Sequence, residues 1–120
     1  MFLTLNHQKM EVYALSRALI KECYKLTKAL PPEEKYAMVS QIRRAALSVH
    51  LNISEGASRR SEAERKRYYE IARGSIVEID AALDAASDLD YLKNIDVTIL
   101  GKTIIATFKL LTGMIGKQKG

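Results

Sequence analysis

Tryptophan is missing from this chain, cysteine occurs once, and histidine and proline occur twice each. Each shortage narrows the fold and the chemistry. A lone Cys23 excludes an internal disulfide and points to a reducing, cytoplasmic setting. Two histidines and one cysteine, far apart, give no metal-ligand spacing, so neither a metal nor another cofactor is expected. With two prolines and six glycines in 120 residues, long uninterrupted helices are feasible. No charge-free apolar run reaches membrane-spanning length. Residues 1–7 lack the basic, long apolar and small-residue regions of a signal peptide, so no membrane association is expected. Strand-like alternation and internal repeats are also lacking.

What is present is an ordinary globular composition, 48% hydrophobic and 28% charged, which predicts one soluble domain over residues 1–120. The net charge of +5 comes from 19 Lys+Arg against 14 Asp+Glu. That excess admits a polyanionic partner, and its distribution says more than its size. Arg43, Arg44, Arg59, Arg60, Arg65, Lys66, Arg67 and Arg73 crowd the middle of the chain. An acidic block follows (Glu78, Asp80, Asp84, Asp88, Asp90), and after Asp96 every charge is a lysine.

Apolar periodicity predicts four helices. The first runs from about residue 9 to about residue 29, with Val12, Leu15, Leu19, Cys23 and Leu26 as its stripe. Leu30-Pro31-Pro32-Glu33-Glu34 breaks the chain and restarts it, proline and glutamates both suiting a first helical turn. The second helix carries Met38, Ile42, Ala45, Val49 and Ile53 on one side. Leu47 and Leu51 lie nearly opposite, a stripe one domain does not need and another subunit would cover. Gly56 suits a helix end or a close backbone approach. Ser61-Glu62-Ala63-Glu64 matches a capping box and opens the third helix, with Tyr68, Ile71, Ala72, Ser75, Ile79, Leu83, Ala86 and Leu89 on its core side. Gly74, Glu78, Ala81 and Ala85 form a small-residue strip beside it, where a close helix approach would explain a mid-helix glycine. The fourth helix, capped by Asn94 or Asp96, has Val97, Leu100, Ile104, Phe108, Leu111 and Ile115 as its core stripe. Leu110 and Met114 widen its apolar circumference, and they join Leu47 and Leu51 as expected oligomer contacts. Gly113, Gly116 and Gly120 read as a fraying tail. Four helices joined by short turns make an all-α, antiparallel up-down-up-down bundle.

Polar residues intrude on the second helix's core side. Periodicity places Asn52 and Glu55 there, and Glu78 beside the buried face of the third helix, so an internal polar contact is expected. No histidine, nucleophile or metal set accompanies them, and the E-x-x-H spacing of di-iron bundles is missing, so no catalytic residue is assigned. Cys23 sits on an apolar stripe as a small core residue, and His50 falls between the two stripes of its helix.

These residues resemble a known family. Gln41-Ile42-Arg43-Arg44-Ala45-Ala46, Ser48-Val49 and Asn52-Ile53-Ser54-Glu55-Gly56 look like its helix-two signature. Gly74-Ser75-Ile76-Val77-Glu78-Ile79 looks like its helix-three signature, and Leu30-Pro31 and Tyr91-Leu92 also match. Ser54 stands where alanine is usual and His50 where proline is common. The family is that of four-helix-bundle proteins encoded in intervening sequences of large-subunit ribosomal RNA genes, similar in fold to accessory proteins of diversity-generating retroelements. The resemblance implies a homopentameric barrel without enzymatic activity. It also implies nucleic-acid binding as the role of the family's basic relatives; RNA is the first expectation here, and the charge distribution makes the eight basic residues named above the expected contacts. The alternative it leaves open is a scaffold for a protein partner such as a polymerase.

Overall fold

The computed structural model describes residues 1–119. It contains a 3-10 turn at Asn6–Lys9, then α1 (Glu11–Lys28), a 3-10 turn at Pro32–Glu34, α2 (Met38–Ala57), α3 (Glu62–Asp88) and α4 (Thr98–Lys117). Gly113 and Gly116 are helical, so α4 continues through the region expected to fray; Gly120 lies outside the described residues.

Short connections force successive helices to run antiparallel, and cross-helix contacts record the registers. Ser16 faces His50, and Arg43 faces Thr27, across α1 and α2. Ser48 faces Ser75 across α2 and α3, and Arg73 faces Thr112 across α3 and α4. Helix α4 closes the ring of contacts against α1. The product is an up-down-up-down bundle about 44 Å long.

Each boundary has a local cause. Ser61 Oγ accepts a hydrogen bond from the Glu64 N–H at 3.0 Å and caps α3. At the other end of α3, the Tyr91 N–H donates to the Ala86 carbonyl and the Asp90 N–H to the Ser87 carbonyl, both at 3.0 Å. That is a Schellman closure, with Asp90 in the left-handed region at φ 64 where glycine is the usual choice. Asp96 Oδ1 accepts from the Thr98 N–H at 2.9 Å and starts α4, and this bond holds the Asp96 carboxyl below its usual pKa.

The core follows the expected stripes on α1 and α2: Val12, Leu19, Cys23, Leu26, Ile42, Ala45, Val49 and Ile53 are buried. On α3 Ala72, Ser75, Ile79 and Ala86 are buried as expected, and the buried face is shifted toward one side. Tyr69 is buried instead of Tyr68, Ile76 is buried, and Ile71 and Leu89 are exposed. Gly74, Glu78, Ala81 and Ala85 are exposed as well, so that strip is no helix contact. On α4, Phe108 and Val97 turn outward, and Thr103 and Thr107 take core places. Those hydroxyls donate to the Ile99 and Thr103 carbonyls at 2.8 and 2.7 Å, which satisfies them inside an apolar wall. Among the described residues α4 is also long and apolar enough to cross a membrane, by length and composition; here it forms one side of the bundle.

Two glycines, Gly56 at the end of α2 and Gly74 in the middle of α3, divide sharply. A Cβ on Gly56 would stand 2.8 Å from Tyr69 Cε1 and 2.9 Å from Tyr68 Cβ, whereas one on Gly74 would meet nothing within 4 Å. Gly56→Ala should therefore destabilise the protein by ~1–3 kcal/mol through overpacking. Gly74→Ala should stabilise it by up to ~1 kcal/mol through helix propensity. Urea denaturation of the two variants checks both signs; equal effects would contradict the seam described.

Candidate nucleic-acid interface

Only three residues separate the last residue of α2 from the cap of α3, and they are tightly held. Ser58 Oγ donates to the Glu55 carbonyl at 2.7 Å. Arg65, one turn into α3, reaches back with Nη1 to the carbonyls of Arg59 and Arg60 at 3.0 and 2.6 Å. Its Nε donates to Gln118 Oε1 at 3.0 Å, which ties the C-terminal end of α4 to the same turn. The Lys119 N–H adds a bond to Glu62 at 3.2 Å. Arg59 is pinned from the other side. Its Nη2 lies 2.9 Å from Glu55 Oε2 and 3.2 Å from the Tyr68 hydroxyl, with the guanidinium 5.1 Å from the Tyr68 ring centre. Arg59 Nε is buried without a partner among the described atoms.

The eight basic residues therefore do not form one patch. Arg59, Arg60, Arg65, Lys66 and Arg67 come together at the α2–α3 turn. Within that group Arg59 and Arg65 shape the loop, and Arg60 and Arg67 stand exposed. Sequence reasoning missed two additions: exposed Lys117 and Lys119 arrive at the same end because α4 is antiparallel to α3. Arg43 and Arg44 lie about 20 Å away along α2, at 1.5 Å per residue. Arg43 Nε donates to Thr27 Oγ1 at 2.8 Å, and its guanidinium stacks 4.5 Å from the Tyr24 ring centre. Arg73, about 17 Å along α3 by the same rise, donates to Thr112 Oγ1 at 3.3 Å and lies over Phe108. Arg44, Arg43 and Arg73 thus belong to the sides of the bundle and not to its basic end.

The expected polar core is corrected. Glu55 is exposed, off the core stripe and paired with Arg59 one turn on, and Glu78 is exposed with a 3.5 Å contact to Gln41. Asn52 is half-buried and does make an internal contact: its Nδ2 donates to the Ser48 carbonyl at 2.9 Å and to Ser48 Oγ at 3.0 Å. Ser48 Oγ in turn meets Ser75 Oγ at 2.9 Å across the seam. The oligomer contacts also divide. Leu47 and Leu51 are exposed, while Leu110 and Met114 are half-buried against the core. The exposed apolar surface of α4 belongs instead to Ile99, Ile105 and Phe108, and Val77 of α3 continues it.

A serine–histidine contact also escaped the sequence reading. Ser16, fully buried on the α1 stripe, lies 2.7 Å from His50 Nδ1 and 2.9 Å from the Tyr13 carbonyl oxygen. The Tyr13 carbonyl can only accept, so it competes with His50 Nδ1 for the single Ser16 proton, and the His50 tautomer decides which one takes it. Burial, then the charges of Arg17 and His7, lower the pKa of His50. Burial first and Glu22 second push the Cys23 thiol up to about 12, so it stays protonated. Among the described residues no three His, Cys, Asp or Glu side chains gather as a metal site. A serine on the core stripe of α1, at the Val12–Leu19–Cys23 spacing, was the signal for this contact.

The chain is thus an all-α four-helix bundle, with a stapled basic turn at one end and acidic residues at the other. Within that class the chain belongs to the 23S rRNA-intervening sequence protein family, whose model matches residues 8–113. A comparison with curated proteins gives no match.

The exposure of these carboxylates sets their energetics. Glu55→Ala and Glu78→Ala should each change stability by less than about 1 kcal/mol, as exposed ion pairs and contacts do. Asn52→Ala should cost more, ~1–2 kcal/mol, because the Ser48 carbonyl and hydroxyl lose their partner beside the seam. Chemical denaturation of the three variants in parallel checks the order, and a larger loss for Glu55→Ala would reverse it.

Proposed function

We propose that this protein is a non-enzymatic, cytoplasmic nucleic-acid-binding accessory protein that works as a homo-oligomeric ring, with RNA as its ligand and no role at a membrane. One observation carries the reading: the net positive charge gathers on the half of the bundle that holds the α2–α3 turn. Lys9, Arg17, Arg59, Arg60, Arg65, Lys66, Arg67, Arg73, Lys109, Lys117 and Lys119 outnumber Glu11, Glu55, Glu62, Glu64 and Glu70 there. On the opposite half Glu22, Glu33, Glu34, Glu78, Asp80, Asp84, Asp88, Asp90 and Asp96 balance the lysines together with Arg43 and Arg44. A polyanion approaching such a dipole is steered to the basic end. Arginine is the fitting residue there, because its planar fork matches phosphate oxygens. RNA as the first ligand rests on this charge and on the resemblance; the family's description names an intervening sequence and no ligand.

Assembly is supported by the apolar surface. Ile105 and Val77 are 56% and 54% exposed and line a groove between α3 and α4 with Ile76, Ile104 and Phe108. Leu51 offers a second apolar patch on α2, a different face of the bundle. Two unlike faces meeting head to tail generate a ring if the rotation closes, and the family resemblance favours five subunits. A ring would repeat the basic turn around one rim. The same α3–α4 groove favours the second reading, an adaptor that seats a protein partner such as a polymerase.

An anisotropy titration with labelled RNA across a salt series tests the first reading. Binding should weaken as salt rises, by ~0.7 in logarithmic slope per phosphate contact on single strands, and vary little with sequence. Replacing Arg60 and Arg67 together by alanine should flatten the slope. Ile105→Glu should lower the mass seen by light scattering without loss of helicity. A protein that binds neither RNA nor DNA at micromolar concentration and low salt favours the adaptor.

A further inference from the structure

One tyrosine in this protein has no packing role. Tyr13 lies against His50, Tyr68 under Arg59, Tyr69 is buried, and the Tyr91 hydroxyl donates to Glu34. Tyr24 has one face covered by the Arg43 guanidinium. Tyr36, in the connection before α2, is 88% exposed. An aromatic ring left in water forgoes the large apolar burial that makes such residues valuable in a fold, so its position is explained by something other than folding.

Its surroundings give that explanation. Tyr36 borders a groove of about 320 Å³ between the end of α1 and the start of α2, with Val39 and Leu47 in its wall. Lys35, Arg43 and Arg44 also line it, and among the described residues no carboxylate does. Glu34, nearest in sequence, is turned away and accepts from Tyr91 at 3.0 Å. Lys35 Nζ lies 5.4 Å from the Tyr36 ring centre. Arg43 is set in place by Thr27 and Tyr24, so the groove offers an ordered guanidinium plane beside an open aromatic ring. Exposed rings interleaved with cations along a groove are what a single strand requires: bases stack on the rings and phosphates meet the charges. A duplex hides its base faces and has no use for Tyr36.

We propose that the Tyr24–Tyr36–Arg43–Arg44 groove is a binding site for a single-stranded nucleic-acid segment, with a base stacked on Tyr36 and its phosphate between Lys35 and Arg44. It is a second site, on the side of the bundle, separate from the α2–α3 turn, and it rests on the nucleic-acid reading above. There the strand meets phosphate contacts alone; here it meets stacking as well. Leu47, expected at an oligomer contact, forms the groove's edge.

The chain lacks tryptophan, so quenching of tyrosine emission reports stacking directly. Wild type, Tyr36→Ala, Tyr36→Phe and Arg44→Ala are titrated with a single-stranded RNA 12-mer, the duplex of the same sequence, and a nucleoside monophosphate. Tyr36→Ala should weaken binding of the strand about tenfold with its salt slope unchanged, and Tyr36→Phe should stay within about twofold of wild type. Arg44→Ala should lower the slope by ~0.7, because it removes a phosphate contact. Duplex binding should be indifferent to Tyr36→Ala. Tight binding of the monophosphate, equal to the strand's, would replace the strand by a free nucleotide and overturn the proposal. So would equal losses on strand and duplex, an unchanged affinity for the strand, or a smaller assembly mass in Tyr36→Ala, which would make this face a subunit contact. If the Arg60/Arg67 double variant weakens the strand while Tyr36→Ala does not, the groove fails and the basic turn stands. No binding of any strand at low salt overturns both.

Discussion

Gly56 has no side chain, and the ring of Tyr69 occupies the place where one would be. This contact sets how closely α2 and α3 approach, and the rest of the bundle is arranged around that approach. Further along the same seam, small residues continue it: Ala45 and Ala72 are buried, and Ser48 meets Ser75 at 2.9 Å. Asn52 holds Ser48 in place from its own helix. Two helices brought this near leave no slack for a long connection. The α2–α3 turn is correspondingly short, and its carbonyls are stapled by Arg65. The basic groups at this end therefore project from a fixed frame, which lowers the ordering cost that a flexible arginine-rich loop would carry on binding.

Charge is distributed along the bundle as deliberately as apolar surface is distributed around it. Basic residues at the α2–α3 turn meet the lysines that close α4, and acidic residues gather on the last turns of α3. Some of the arginines are committed to the fold: Arg59 to Glu55 and Tyr68, Arg65 to the turn, Arg43 to Thr27 and Tyr24. Arg60, Arg67 and Arg44 are exposed. Such a division lets one set of cations build the surface that another set presents.

Most of the fold was legible in the sequence because its signals were local. Pro31-Pro32, the Ser61–Glu64 box and Asp96 mark helix ends by side-chain chemistry that needs no partner helix. The stripe of α1 was also plain, since its opposite face is polar, and that of α2 was plain although Leu47 and Leu51 lie nearly opposite it. Helix α3 was harder to phase because Ile71, Ile76, Val77 and Ile79 leave two adjacent faces apolar. Which of Tyr68 and Tyr69 enters the core is decided by the notch at Gly56, a contact with another helix. In α4, periodicity favoured Phe108 as core, and Thr103 and Thr107 took core places because backbone bonds quench their hydroxyls. The polar core was misread at Glu55 because its angle was misplaced: at 100° per residue it lies about 120° from the centre of the Met38–Ile42–Ala45–Val49–Ile53 stripe, on the exposed side where Arg59 at i+4 pairs with it. The basic cluster was legible as residues and not as a surface, since only the antiparallel path brings Lys117 to Arg60 and carries Arg44 away. Tyr36 gave no sequence signal apart from the arginines, because its exposure depends on how the chain leaves the 3-10 turn.

Amide hydrogen exchange with and without a single-stranded RNA tests this account most directly. The seam amides around Ser48, Gly56 and Tyr69 should be the slowest to exchange in both states, since they open only with the whole bundle. Added RNA should slow exchange in the connections at residues 58–61 and 33–37 and leave the acidic α3–α4 connection unchanged. Slowed exchange centred on residues 89–97, or none anywhere while the strand is bound, would contradict it.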